Sequence, residues 1–304
     1  MAETGSATRC ADRVGIGWRG ELAAGIFAHL DRIDLLEIIA DDYFRATPRE
    51  LRALRTLATQ TPITLHGVSM GLAGSETTET RRIDNMARLV DTLQPDSWSE
   101  HLAFVRGGGI EIGHLAAPPR TAQNVDAAVA NIERATQIVG CAPHMENIAT
   151  LIDPPASTVD EARWVSAIIT GSRAGLLLDL HNLYANALNF GIDPAELLRR
   201  FPLQQVRAVH LSGGKWIPEP ALDDVADASS APQMRLLDDH VHDVPAAVFE
   251  LLTLLAQHAP QQLDVIIERD GEFPEFTCLL AQLDAARDSL QRGRQQCLAM
   301  RKAA

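Results

Sequence analysis

The feature that most constrains this chain is that its short apolar runs end, again and again, in a histidine or a carboxylate. His66 closes Ile63-Thr64-Leu65, and His101 follows Trp98-Ser99-Glu100. Glu146 sits in His144-Met145-Glu146-Asn147-Ile148, Asp179 closes Leu176-Leu177-Leu178, His210 closes Val206-Arg207-Ala208-Val209, and Glu268 closes Val265-Ile266-Ile267. Runs of this length read as β-strands. Residues i and i+2 of a strand share a face, so His144, Glu146 and Ile148 lie on one side, as do Leu177, Asp179 and His181, and Ile266, Glu268 and Asp270. Each titratable side chain is then at or near the last inward position of its strand. If those six ends converge, they form a polynuclear metal site and make the chain an enzyme.

Strands are expected near Val14–Trp18, Leu35–Ala40, Pro62–Val68, Ser97–Phe104, His144–Ile148, Gly175–Leu180, Val206–Leu211 and Asp264–Arg269. Amphipathic stretches between them predict helices over Glu21–Asp31, Pro48–Ala58, Thr78–Leu93, Ala122–Val139, Val159–Thr170, Pro194–Arg200, Pro245–Gln257 and Pro274–Arg292. Alternating β and α units make a parallel sheet, and eight of them fit the α/β class as a single-domain (β/α)8 TIM barrel over residues 13–292. A disordered tail is expected over 1–12 and a C-terminal tail over 293–304. An open doubly wound sheet is disfavoured, because Gly15-Ile16-Gly17 runs into Trp18 and Arg19 where G-x-G-x-x-G would be needed. The segment Gly213 to Leu237 is too long for an ordinary βα connection and follows the seventh strand, on the face where barrels build their sites. It reads as a substrate-facing loop or lid, or as a disordered insertion.

Composition excludes several classes. With 46% apolar and 22% charged residues in 304, the chain is composed like a globular protein. Its formal charge of -13 argues against non-specific binding to nucleic acid or anionic membranes. No stretch approaches the ~20 apolar residues of a membrane span. Cys10, Cys141, Cys278 and Cys297 form no C-x-x-C pair, which points to a reducing cytoplasm and away from a thiolate zinc site.

Imidazole plus carboxylate without thiolate suits iron, manganese or zinc. Six or more ligands exceed what one catalytic ion needs while keeping an open position, so two or three ions with bridging carboxylates are expected, Glu146 being a reasonable bridge. Asp238-Asp239-His240-Val241-His242-Asp243 either adds ligands for a further ion or forms a solvated acidic turn. His181 is either a ligand or a support to one. Arg19, Glu37, Asp41 and Asp42 are open to three roles: binding substrate, orienting ligands or pairing with one another. Trp98 and Trp164 are expected to pack.

Nine segments together resemble a known family. Gly15-Ile16-Gly17-Trp18-Arg19 and Leu36-Glu37-Ile38-Ile39-Ala40-Asp41-Asp42-Tyr43-Phe44 look like its opening motifs. Leu65-His66-Gly67-Val68, Ser99-Glu100-His101-Leu102-Ala103, Met145-Glu146-Asn147-Ile148 and Leu178-Asp179-Leu180-His181-Asn182 follow in its order. Val209-His210-Leu211-Ser212-Gly213, Leu237-Asp238-Asp239-His240 and Ile267-Glu268-Arg269-Asp270-Gly271 complete the set. The chain is similar, from about Val14 to about Glu272, to the multinuclear non-heme iron-dependent oxidative enzymes.

That resemblance implies a TIM barrel with two or three irons of mixed ferrous and ferric state and dioxygen as co-substrate. It also implies a ribosomally made precursor peptide whose cysteine is modified, and a small partner protein that binds the peptide's leader. Excision of a cysteine β-carbon, as in the 3-thiaglutamate pathway, is the branch it leans towards. By matching motifs, His66, His101 and Glu146 would hold one iron, and Glu146, Asp179, His210 and Glu268 a second. Asn182, Asp238 and His240 would surround a third. Glu146, Asp179 and His210 would be central to catalysis, with Arg19, Asp41, Asp42 and His181 near the substrate. Asp41-Asp42 stands where the family commonly has Glu-Asn, which leaves the role of that pair open, and Ser212 replaces a frequent Ala. The competing readings are a redox-inert sugar isomerase or phosphodiester nuclease on the same ligands, and a non-catalytic peptide-binding scaffold.

Overall fold

The computed structural model describes residues 11–219 and 234–303. Its eight barrel strands are β1 (Arg13–Gly17), β2 (Leu36–Ile39), β3 (Ile63–Gly67), β4 (Ser97–His101), β7 (His144–Glu146), β8 (Gly175–Asp179), β9 (Val206–Leu211) and β12 (Asp264–Ile267). All pairs are parallel, and the order β1-β12-β9-β8-β7-β4-β3-β2 closes on itself. Two antiparallel ribbons decorate the barrel: β5 (Phe104–Gly107) with β6 (Ile110–Ala116), and β10 (Gly214–Pro218) with β11 (Met234–Asp238).

The barrel follows from side-chain alternation. On β3, Ile63 and Leu65 share one face and Thr64 and His66 the other, and all four are buried. Buried residues such as Leu65, Trp98, Met145, Leu178 and Val209 belong to the same apolar core as Ile83, Met86 and Leu89 of α3 (Thr80–Leu93) and Val165, Ile168 and Ile169 of α5 (Glu161–Ser172). The predicted packing role of both tryptophans holds: Trp98 Nε1 donates to Cys141 O and Trp164 Nε1 to Asn124 Oδ1.

Helix starts carry local chemistry. Helix α2 (Pro48–Ala58) begins with a Thr47–Glu50 capping box and Pro48 in its first turn. Thr121 caps α4 (Ala122–Val139), which ends at Gly140 with φ 90°, and Asp160 caps α5. Asp193 caps α7 (Pro194–Arg200), and α8 covers Ala246–His258.

Several boundaries differ from expectation. The stretch read as one helix over Glu21–Asp31 is α1 (Ala23–Ala28) between two 3-10 turns. The fourth strand stops at His101, because Gly107-Gly108-Gly109 turns the following residues back on themselves as the β5–β6 ribbon. The strand expected over His144–Ile148 ends at Glu146, and the last strand ends at Ile267, so Glu268 lies one residue beyond it. Helix α6 (Leu180–Asn189) was not anticipated, and α9 (Phe276–Ala303) continues through the segment expected to be a tail. The ends of Gly213–Leu237 form β10 and β11, while residues 220–233, like residues 1–10, lie outside the described residues.

Candidate metal centre

Seven of the eight barrel positions bring a titratable side chain to the C-terminal mouth. In order round the ring these are Glu37 on β2, His66 on β3, His101 on β4, Glu146 on β7, Asp179 on β8, His210 on β9 and Glu268 just after β12. Parallel register sets them level. His101 pairs with Glu146 across β4 and β7, and Asp179 pairs with His210 across β8 and β9. All seven are buried.

Their tips converge. Glu146 Oε2 lies 3.3 Å from His66 Nε2 and 3.2 Å from His101 Nε2, while Glu146 Oε1 lies 3.1 Å from His210 Nδ1. Glu268 Oε2 is 2.9 Å from the same His210 Nδ1 and 3.5 Å from His240 Nδ1. Three groups have donor atoms within 4.8 Å of one another: His66, His101 and Glu146; Glu146, Asp179, His210 and Glu268; and Glu37, His66 and His210. Glu146 belongs to the first two, which is the arrangement a bridging carboxylate requires.

The residues present fit a metal better than they fit a hydrogen-bonded core. Glu146 Oε2, Asp179 Oδ2, Asn182 Oδ1, Glu268 Oε2 and His240 Nε2 are buried with no hydrogen-bond partner among the described residues. Buried polar atoms are almost always satisfied, and an orphaned carboxylate oxygen is costly. The close approaches of Glu146 Oε2 to His66 and His101, and of Glu268 Oε2 to His210 and His240, lack hydrogen-bond geometry and leave these oxygens able to serve a shared ion. Surrounding groups also fix the imidazole orientations. His66 Nδ1 donates to Ser99 Oγ at 2.8 Å, and Ser99 in turn donates to Leu65 O. His101 Nδ1 donates to Gly67 O at 3.1 Å. Both rings thus turn Nε2 towards Glu146.

A second cluster extends the first. Asp179 caps α6, its Oδ1 accepting from Asn182 N at 2.6 Å, so the helix start places Asn182 beside the ring. Asp238 ends β11, where its Oδ2 lies 2.8 Å from His240 Nε2 and its Oδ1 accepts from His181 Nδ1 at 2.7 Å and from Ser212 Oγ. His240 holds a left-handed φ of 55°, uncommon for a non-glycine residue although histidine is among those that adopt it. A cavity of about 220 Å³ opens over His101, Glu146, Asn182, Asp238 and His240, walled by Leu115, Ile148 and Leu236.

Electrostatics follow from burial against close opposite charge. Burial lowers His210, but Glu268, Glu37 and Glu146 outweigh it and hold the imidazole well above its usual value. His240 is raised well above 6.5 against burial by Glu268 and Asp238, and His101 is lifted to about 9 against burial by Glu146 and Glu100. Burial, with His101 and His210, keeps His66 well below 6.5 and neutral. Asp179 is pushed well above the carboxylate range by burial, Asp238 and Glu146. Asp238 falls to about 2 despite burial, through its bond from His181 and the close approach of His240.

Some of the expected residues come together and others stand apart. His66, His101, Glu146, Asp179, His210 and Glu268 come together in the ring, with Asn182, Asp238 and His240 around the adjoining cavity. His181 is wholly buried, with Nδ1 committed to Asp238. Arg19 pairs with Asp270, whose other oxygen lies 3.2 Å from His240 Nδ1. Asp41 accepts from Val68 N, and with Asp42 it lines a separate groove. Glu37 has a place that strand ends did not reveal: its Oε2 is 3.0 Å from His210 Nε2. Glu100, which was given no role in advance, is also buried and accepts from Met70 N and His101 N.

A (β/α)8 barrel with a buried histidine–carboxylate ring at its mouth defines the class. Within that class, residues 13–291 match the family model described as RiPP precursor modification enzyme MbnB/TglH/ChrH, and the chain belongs to that family. It is 30% identical to a UPF0276 protein of Bordetella bronchiseptica over 92% of this chain and 93% of that one. A UPF0276 protein of Streptomyces avermitilis is 32% identical over 91% of this chain, which spans about half, 55%, of that relative's length. Among solved structures, a xylose isomerase domain protein from Planctomyces limnophilus superposes with TM-score 0.58 at 15% identity, covering 95% of this chain and 100% of that one. An L-ribulose 3-epimerase gives 0.57 at 14% identity, covering 95% and 98%. At such identity these structures speak for the barrel fold alone. No helix among the described residues is long and apolar enough to cross a membrane.

Proposed function

We propose that this chain uses iron and dioxygen to oxidise a cysteine residue of a ribosomally made precursor peptide, with β-carbon excision as the narrower form of the reaction. The observation that carries the reading is the set of orphaned, buried donor atoms shared through Glu146, in a chain of a peptide-modifying family. His66, His101 and Glu146 would hold one iron, Glu146, Asp179, His210 and Glu268 a second, and Asn182, Asp238 and His240 would surround a third. Iron bound there supplies dioxygen activation and the electron transfers of the oxidation.

The chain's own residues do the rest. Ser99 and the Gly67 carbonyl fix the tautomers of His66 and His101. Leu115, Ile148 and Leu236 restrict water at a cavity whose volume, about 220 Å³, suits one or two side chains and not a folded domain. His181 acts through Asp238 as a positioning residue, locking β11 over the mouth. Arg19, with Asp270, stands where it can meet the peptide backbone, and a small partner protein presents the leader. The test is anaerobic reconstitution with ferrous iron, followed by mass spectrometry of a cysteine-containing peptide encoded beside the chain. A dioxygen-dependent mass change confined to the cysteine supports the proposal. Full iron with no change on any such peptide, partner present, contradicts it.

A further inference from the structure

Beside the mouth, a groove of about 710 Å³ runs between the 3-10 turn that follows β2 and the first turns of α3. Four arginines line it, against two carboxylates, Asp41 and Asp42. Arg45 comes from the β2 side, and Arg81, Arg82 and Arg88 come from α3, where Arg81 and Arg88 are seven residues apart and share one face. In a chain of net charge -13 this concentration of cations is out of keeping with the rest of the surface.

The local carboxylates do not neutralise all of it. Glu79 lies 3.3 Å from Arg81 and 3.4 Å from Arg82, and Glu111 pairs with Arg82. Asp41 Oδ2 is taken by Val68 N at 2.9 Å, and burial pushes its carboxyl up. Arg88 donates to the Phe44 carbonyl and to Asn85 Oδ1, which are neutral acceptors. Among the described residues, neither Arg45 nor Arg88 has a carboxylate within ion-pair distance. A guanidinium satisfied by one carbonyl keeps several donors in a planar fork suited to a carboxylate. Position adds to charge: Val68, whose N–H ties Asp41 to the groove wall, is two residues beyond His66.

We infer that this groove binds an acidic segment of the peptide substrate, seating carboxylate side chains on Arg45 and Arg88 while a nearby cysteine reaches the metal centre. The inference rests on the peptide-substrate reading above, and it adds which part of the peptide the barrel itself grips. Two carboxylates spaced along an extended chain would engage the two arginines, with Arg81 at the exposed rim. Such contacts weaken with salt, because the rim is open to solvent.

The test measures anisotropy of a fluorescein-labelled decapeptide carrying four Glu, against its Gln-for-Glu counterpart, with the metal-loaded full chain at low and at 0.5 M salt. Binding of the Glu peptide at least tenfold tighter than the Gln peptide, lost in salt and lost in an Arg45→Glu/Arg88→Glu variant of unchanged melting temperature, is expected. Equal binding of the two peptides, or undiminished binding by the variant, overturns the inference. Arg45→Lys/Arg88→Lys, which keeps charge but not the planar fork, should recover part of the affinity. Peptide oxidation with KM unchanged in the Glu variant would remove the groove and leave the proposed activity standing. Groove binding without oxidation of any peptide would do the reverse.

Discussion

Glu37 Oε2 lies 3.0 Å from His210 Nε2, while Glu146 and Glu268 approach the same ring at Nδ1. A single imidazole is thus bracketed by carboxylates at both nitrogens. If Nδ1 serves the group formed with Glu146, Asp179 and Glu268, Nε2–H donates to Glu37, which fixes the tautomer and raises the ring's basicity.

Glu37→Gln keeps an acceptor for Nε2–H but removes the charge. Metal stoichiometry is expected to stay unchanged, with affinity at the His210 group weakened ~10-fold or more, as for other supports of metal-bound histidines. Chelator competition followed by elemental analysis measures both. Loss of one whole ion per chain would instead make Glu37 a ligand, together with His66 and His210.

Metal loading should release protons. His101, at about 9, and His210 and His240, both well above 6.5, carry protons at neutral pH when no metal is bound, whereas His66 does not. Ligation requires the free nitrogen, so affinity rises as pH rises through the window from 6.5 to about 9. The metal-free protein runs the other way. Histidines raised in the fold add stability that is fully present below their unfolded value and lost as pH climbs through the folded one. Calorimetric titration in buffers of differing ionisation enthalpy should report more than one proton released per chain at pH 7. Melting of the metal-free protein should fall between pH 6.5 and 9. Affinity independent of pH would contradict the ligand assignment.

Glu146 and Asp179 separate the two groups. Glu146→Ala removes the residue common to both and is expected to abolish loading at each. Asp179→Ala touches only the four-residue group and should leave the metal of His66, His101 and Glu146 in place. Metal content after gel filtration distinguishes them, and identical stoichiometry in the two variants would be inconsistent with a shared Glu146.

Gly15 offers a test of the scaffold apart from the metal. A Cβ there would lie 2.0 Å from the Leu35 carbonyl oxygen, a backbone atom with little freedom to move. Gly15→Ala is expected to destabilise the barrel by about 3 kcal/mol, at the upper end of overpacking costs, read by denaturant unfolding. A change within ~0.5 kcal/mol, the range of an ordinary surface substitution, would mean that β1 and β2 separate easily.

The barrel was legible because each strand is a short apolar run whose partners must be parallel, and because Asp179, His210 and their neighbours fall at strand ends. Glu37 was not singled out as a ligand candidate, since it lies within β2, two residues before its end, where a search of strand ends does not look. Helix α6 was hidden by its own start: Asp179 closes an apolar run and also caps the helix, so the strand signal masked the N-cap. The β5–β6 ribbon has a visible signal in Gly107-Gly108-Gly109, a turn between two short strands that lies past the end of the expected Ser97–Phe104 run. The arginine groove is a tertiary feature: Arg45 and Arg88 are far apart in sequence, and only the packing of α3 beside β2 joins them.

Metal content per chain after anaerobic purification, by elemental analysis with Mössbauer and EPR spectroscopy, tests the central claim most directly. Two to three irons per chain, part of them ferrous, are expected. Stoichiometric zinc or manganese, with iron failing to bind on reconstitution, would contradict it and move the chain to redox-inert chemistry on the same barrel.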